Sequence, residues 1–150
     1  GDPFKRFARS RGRAIALRTM PGQEVRAEPW VPYIGLPELR PLRVTARRLL
    51  PVRRRAGPVE LVFRYVADRA GDVLLDARFA PSARSVDGIT VSVALNGAEL
   101  ASAAGRAGLA VEGMPIRLAA GDVLEFVVGP GATATGDVTD YAIRLRRPPP

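Results

Sequence analysis

From residue 59 onward the chain alternates apolar and polar positions in short runs, each closed by Gly-Asp, Asn-Gly or Pro-Gly chemistry. Over 60–66, Leu61, Phe63 and Tyr65 fall on one face and Glu60, Val62, Arg64 and Val66 on the other. Over 89–95, Ile89, Val91, Val93 and Leu95 share a face, with Thr90, Ser92 and Ala94 opposite. A period of two is the mark of a half-buried strand. Further runs over 73–79, 98–103, 109–118, 123–128 and 138–145 follow the same rule. Asn96-Gly97 predicts a two-residue hairpin, because a type I′ turn needs positive φ at both central positions. No helical period competes. About seven or eight strands at roughly ten-residue spacing predict an all-β fold, an antiparallel β-sandwich of jelly-roll type.

The first 58 residues read differently. Residues 1–13 form a basic arm, and 13–19 alternate well enough for a first strand before Pro21-Gly22. Pro29, Pro32, Pro37 and Pro41 exclude a central strand over 28–41, since each proline lacks a ladder donor. An extended segment is expected there. Residues 42–50 suit an edge strand or a short helix, and 51–58 a loop. The expected organisation is a basic, Pro-rich N-terminal arm (1–58) with one or two strands, a sandwich (59–147) and a Pro tail (148–150). Ala-Gly-Asp-Val-Leu occurs at 70–74 and again at 120–124. Two copies do not make a repeat array; one turn-then-strand solution is expected to be used twice.

Charge sharpens this division. Residues 1–58 hold fourteen Lys/Arg against four Asp/Glu, while 59–150 hold nine against eleven. All of the formal +8 excess therefore sits in the N-terminal third. Lys5, Arg6, Arg9, Arg11 and Arg13, interleaved with Phe4 and Phe7, suit phosphate or another polyanion, and Arg53, Arg54 and Arg55 form a second cluster. A basic arm of this kind fits an anionic surface, a nucleic acid or an acidic partner. Lys5 is the sole lysine among 23 basic residues, so an Arg-rich genome composition explains the residue type as well.

Composition excludes much chemistry. The chain has no His and no Cys, hence no imidazole base, no Ser-His or Cys-His pair, no disulfide and no His or Cys metal ligand. No apolar run approaches the ~18 residues of a membrane span. Asp137 and Asp140 are the acids best placed for a carboxylate-only hydrolase, but solvated loop acids and turn caps account for them, and no enzyme is expected. The same two carboxylates, with Thr139 and loop carbonyls, are an oxygen set for calcium; no other cofactor is expected. Trp30 and Tyr33, set in the Pro-stiffened segment, can present rings for stacking on a sugar; alternatively Trp30 plugs one end of the sandwich.

The run Val86-Asp87-Gly88-Ile89-Thr90-Val91 into Leu95-Asn96-Gly97, then 120–131 and the acidic Thr-containing loop 137–140, resembles the jelly-roll, carbohydrate-binding-module-like domains of bacterial secreted and cell-surface proteins. The resemblance covers about 59–147 and implies a non-catalytic, glycan-binding adhesion module at an extracellular site or cell surface. A basic arm ahead of a jelly roll is also similar, in architecture alone, to viral and phage structural subunits. That likeness implies a virion-like assembly subunit whose arm contacts other copies in a homo-oligomer. Polyanion or nucleic-acid binding through the arm is the third expectation, and a cytoplasmic location stays open.

Overall fold

The computed structural model describes residues 3–20, 33–133 and 138–148. Among these, strands β1 (Lys5–Ser10), β2 (Arg13–Ala16), β3 (Arg18–Met20), β4 (Tyr33–Gly35), β5 (Arg43–Val44), β6 (Arg48–Leu50) and β7 (Val52–Arg54) come from the N-terminal third. The remainder supplies β8 (Gly57–Val66), β9 (Gly71–Pro81), β10 (Ile89–Leu95), β11 (Ala98–Gly105), β12 (Leu109–Leu118), β13 (Val123–Pro130) and β14 (Thr139–Arg146). A single turn of 3-10 helix occupies Pro37–Leu39, started by the proline whose fixed φ suits a first helical position.

The strands form two antiparallel sheets of seven. One runs β11-β10-β13-β8-β1-β2, with β7 also paired to β8; the other runs β12-β9-β14-β6-β5-β4-β3. The protein is an all-β antiparallel sandwich. From β8 onward the chain passes repeatedly between the sheets, the β10–β11 hairpin staying within one of them. Phe63 and Phe126 from one sheet meet Phe79 and Tyr141 from the other. The Phe79–Phe126 centroids lie 6.3 Å apart and those of Phe63–Tyr141 5.1 Å apart. Leu75, Val93, Leu124 and Val128 complete the centre with no exposed surface. Burying a side chain of this size contributes roughly 1.5–3 kcal/mol.

The alternation read from sequence holds on β8, where Leu61 and Phe63 are buried in the core. Val62 is buried as well, on the opposite face. It stands in register between Phe7 and Val127, in a row flanked by the ion pairs Arg9–Glu60 and Arg64–Glu125. Asn96 and Gly97 adopt φ of 50° and 83°, the hairpin turn that the dipeptide predicts.

The N-terminal third departs most from expectation. Residues expected to form an arm with one or two strands carry seven. β1 pairs with β8 along Lys5↔Arg64 to Arg9↔Glu60, and turns back through Arg11-Gly12 into β2. The expected strand over 13–19 is split at Leu17, where the chain leaves one sheet and joins the other as β3. The 42–50 run forms β5 and β6 rather than a helix. β7 and β8 make a hairpin across the expected boundary at residue 58, pairing Val52 with Val59. The physical reason is the apolar content of this stretch. Leu36, Leu42, Val44, Leu49 and Val52 are all buried in the common core. No helix among the described residues is long and apolar enough to cross a membrane.

Candidate functional site

The basic candidates of the N-terminal third are distributed over β1, β2, β7 and the two turns that follow β1 and β7. Arg9 pairs with Glu60 at 3.1 Å on one face of β1, while Arg6 turns inward and lies over the Phe63 ring at 5.4 Å. Lys5 is exposed at the start of the same strand. Arg11 sits in the β1–β2 turn and donates to the Ala56 carbonyl at 3.4 Å, and Arg13 is exposed on β2. Arg53 donates to the Gly131 carbonyl at 2.8 Å. Arg54 donates to the Arg40 carbonyl at 2.6 Å and to that of Glu38 at 3.2 Å. Arg55 is exposed in the turn that follows. Several of these cations thus hold loops to the sandwich, and the Arg11–Ala56 bond brings the β1–β2 turn beside the turn that carries Arg55.

The other sequence candidates also separate. Trp30 and Asp137 lie outside the described residues. Tyr33 opens β4, in register with Met20. Asp140 accepts from Arg48 Nε at 3.2 Å. Among the described residues no three His, Cys, Asp or Glu side chains gather as a metal site.

The structure instead builds a groove of about 800 Å³ on the outer face of the second sheet, across β12, β9 and β14. Its floor carries small side chains on either side of one arginine. Ala142 and Ala110 flank Arg78 on the two neighbouring strands, in register. The next row sets Arg144 opposite Asp76. β12 is interrupted here: between Val111 and Met114 its register shifts, so Glu112 and Gly113 together stand opposite Asp76. Two residues against one is a β-bulge, a device that re-aims side chains beside binding sites. Gly113 makes it feasible, with φ of 63°.

The bulge is held from below. Asp76 Oδ1 accepts the Gly113 N–H at 2.8 Å, and Asp76 Oδ2 accepts from Arg146 Nε at 2.9 Å. These two bonds, the arginine first, hold the Asp76 carboxyl below the ordinary aspartate range, and the same pairing raises Arg146. Asp76 is therefore a fixed anion that orients Arg146 and the bulge. Arg78 and Arg144 are exposed, and among the described residues neither makes an ion pair within 4 Å. Sequence reasoning passed over this cluster. Its one legible sign was the period-two placing of Asp140, Ala142, Arg144 and Arg146 on a single face of the last strand.

A second, smaller cleft of about 380 Å³ lies between the sheets near Phe4, Arg6, Arg47, Phe63 and Tyr141. Its aromatic walls are largely spoken for. Phe63 and Tyr141 are buried, and the Tyr141 hydroxyl donates to the Thr45 carbonyl at 2.6 Å.

No family model matches the chain, and no curated protein matches it. Among solved structures, a ruminal GH26 endo-β-1,4-mannanase aligns over 89% of this chain and 26% of its own, at 11% identity and a TM-score of 0.39. The Podospora anserina GH26-CBM35 β-(1,4)-mannanase aligns over 75% of this chain and 27% of its own, at 17% identity and a TM-score of 0.37. The chain thus spans about a quarter of the length of each of these enzymes. Likenesses of this depth carry no weight for what the domain binds.

Proposed function

We propose that this domain is a non-catalytic binding module and that its ligand is a glycan held in the groove across β12, β9 and β14. The observation that carries the reading is the construction of that groove. Alanines on either side of Arg78 leave room beside it for sugar rings, and the arginine and carboxylate groups of the groove, with Asp76 and Arg146 fixed against each other, supply the donors and acceptors that sugar hydroxyls need. Three paired strands form the base, so the polar groups are placed before the ligand arrives, which lowers the entropic cost of binding. Concave sites with a few converging polar groups are the default binding locations on a fold of this class.

Catalysis is a poorer fit. A glycosidase needs one carboxyl kept protonated near neutral pH as its acid. Asp76 is displaced in the opposite direction. The assembly reading drew on a basic arm in need of a purpose. β1 and β2 give its first basic segment, 5–16, a structural purpose within a sheet.

The test is retention on insoluble polysaccharides together with an assay for released reducing ends. The expected result is retention without product, and loss of retention in Ala142→Trp, which fills the floor while leaving the core untouched. Retention unchanged by Ala142→Trp, or release of sugars, overturns the proposal.

A further inference from the structure

We infer that the groove selects an acidic glycan, one bearing carboxylate or sulfate groups, and that Arg78 and Arg144 are the residues that read its charge. This rests on the glycan-binding reading and narrows it. Three carboxylates on this face already have cations: Asp72 with Arg117, Asp76 with Arg146 and Asp140 with Arg48. Arg78 and Arg144 make no ion pair within 4 Å among the described residues; Arg144 faces Asp76, which Arg146 already holds, and Arg78 lies one diagonal step away on the neighbouring strand, since it is in register with Ala142. Diagonal neighbours in an antiparallel pair lie about 7–8 Å apart, so two guanidinium forks point from one floor at spaced positions. Alanines on both sides of Arg78 leave the fork unobstructed.

The residue type matters. A planar guanidinium matches a carboxylate or sulfate through two parallel N–H donors, which an ammonium cannot do. The second point is what the groove lacks. Among the described residues no aromatic side chain lines it, and stacking on an exposed ring is a main source of affinity for a neutral sugar ring. A groove with forks and no platform is complementary to charge on the sugar, not to its apolar face. Glu112, on the bulge wall beside Arg146, disfavours anions at that end and biases them toward Arg78 and Arg144.

The experiment is isothermal titration of the full chain with two matched pairs: polygalacturonate and its fully methyl-esterified form, and dextran sulfate and dextran. Each pair shares a backbone and differs in charge. The expected result is at least tenfold tighter binding of the acidic member in one pair, and the pair showing it tells carboxylate from sulfate. Arg78→Ala and Arg144→Ala each weaken that binding roughly tenfold, as loss of a charge-assisted contact does. Arg78→Lys recovers little of it. Arg13→Ala, on the other sheet, leaves it unchanged. Equal binding of acidic and neutral members overturns this inference and leaves the glycan reading standing. Equal loss in Arg13→Ala and Arg78→Ala reduces the effect to unspecific charge and also overturns it. Binding to none of the four polymers removes both.

Discussion

Leu42 follows the short helix and precedes β5. It has no exposed surface, and its N–H donates to the Leu39 carbonyl at 2.9 Å. It belongs to the same core cluster as Phe126, 84 positions further along the chain. Leu42→Ala removes buried methyl groups from a site enclosed by both sheets, and such truncations cost about 2–5 kcal/mol. For a chain of this length each kcal/mol moves the melting midpoint by roughly 2–4 °C, so a fall of about 4–20 °C is expected. Phe126→Ala, with its ring against Phe4 at 5.7 Å and Phe79 at 6.3 Å, is the internal standard at about 3–5 kcal/mol. Urea unfolding followed by circular dichroism reads both, the midpoint shifting at constant slope. If residues 1–58 were a separable arm, Leu42→Ala would behave as a surface change, within roughly 0.5 kcal/mol. A negligible loss for Leu42→Ala beside a full loss for Phe126→Ala would refute the placing of the N-terminal strands in the core.

Three further outcomes are expected. Tyr141→Phe deletes the bond to the Thr45 carbonyl and should cost about 0.5–1.5 kcal/mol in the same unfolding assay, because β14 and the 45–48 turn lose one of their ties. Gly113→Ala places a side chain where φ is 63° and the new methyl meets only Arg146 Nη2 at 3.7 Å. The backbone therefore sets the cost, roughly 1–2 kcal/mol, and glycan affinity should fall with it as the bulge shifts. Asp76 and Asp122 are both held below the ordinary aspartate range, Asp76 by Arg146 and Asp122 by the Ala119 N–H and the Asn96 amide. A depressed carboxyl lends stability that is complete above its unfolded value, about 3.9, and disappears as pH falls through the lower folded value. Acid melts should show wild type losing stability in that window, while an Asp76→Asn, Asp122→Asn double variant shows a flatter profile.

The sandwich was legible because most of its strands alternate over their length and its turns carry residues suited to positive φ. The runs over 89–95 and 109–118 coincide with β10 and β12 to the residue. The two Ala-Gly-Asp-Val-Leu copies were read as one solution used twice, and they share an end of the sandwich. Gly121 donates to the Ala67 carbonyl, and Ala67 donates to that of Asp122. Their aspartates nonetheless differ: Asp122 caps the Ala119 N–H, whereas Asp72 already lies within β9 and pairs with Arg117. Most of the N-terminal strands were hidden because they are two to six residues long, too short for periodicity to register, and because arginine is their commonest residue. The groove was hidden for another reason. Asp76, Glu112 and Arg144 come from three strands, and only the register of β9 against β12 and β14 brings them together. The bulge that shapes it depends on two residues slipping past one, which no local pattern announces.

The most direct test of the account is a backbone amide map of the 15N-labelled chain, 150 residues and 16.1 kDa, titrated with an oligogalacturonate. The groove account predicts that the amides moving most are those of 76–78, 110–114 and 142–146, with β1, β2 and the 53–55 turn still. Shifts centred on the basic N-terminal strands, or on the loops at the sandwich ends, would contradict it.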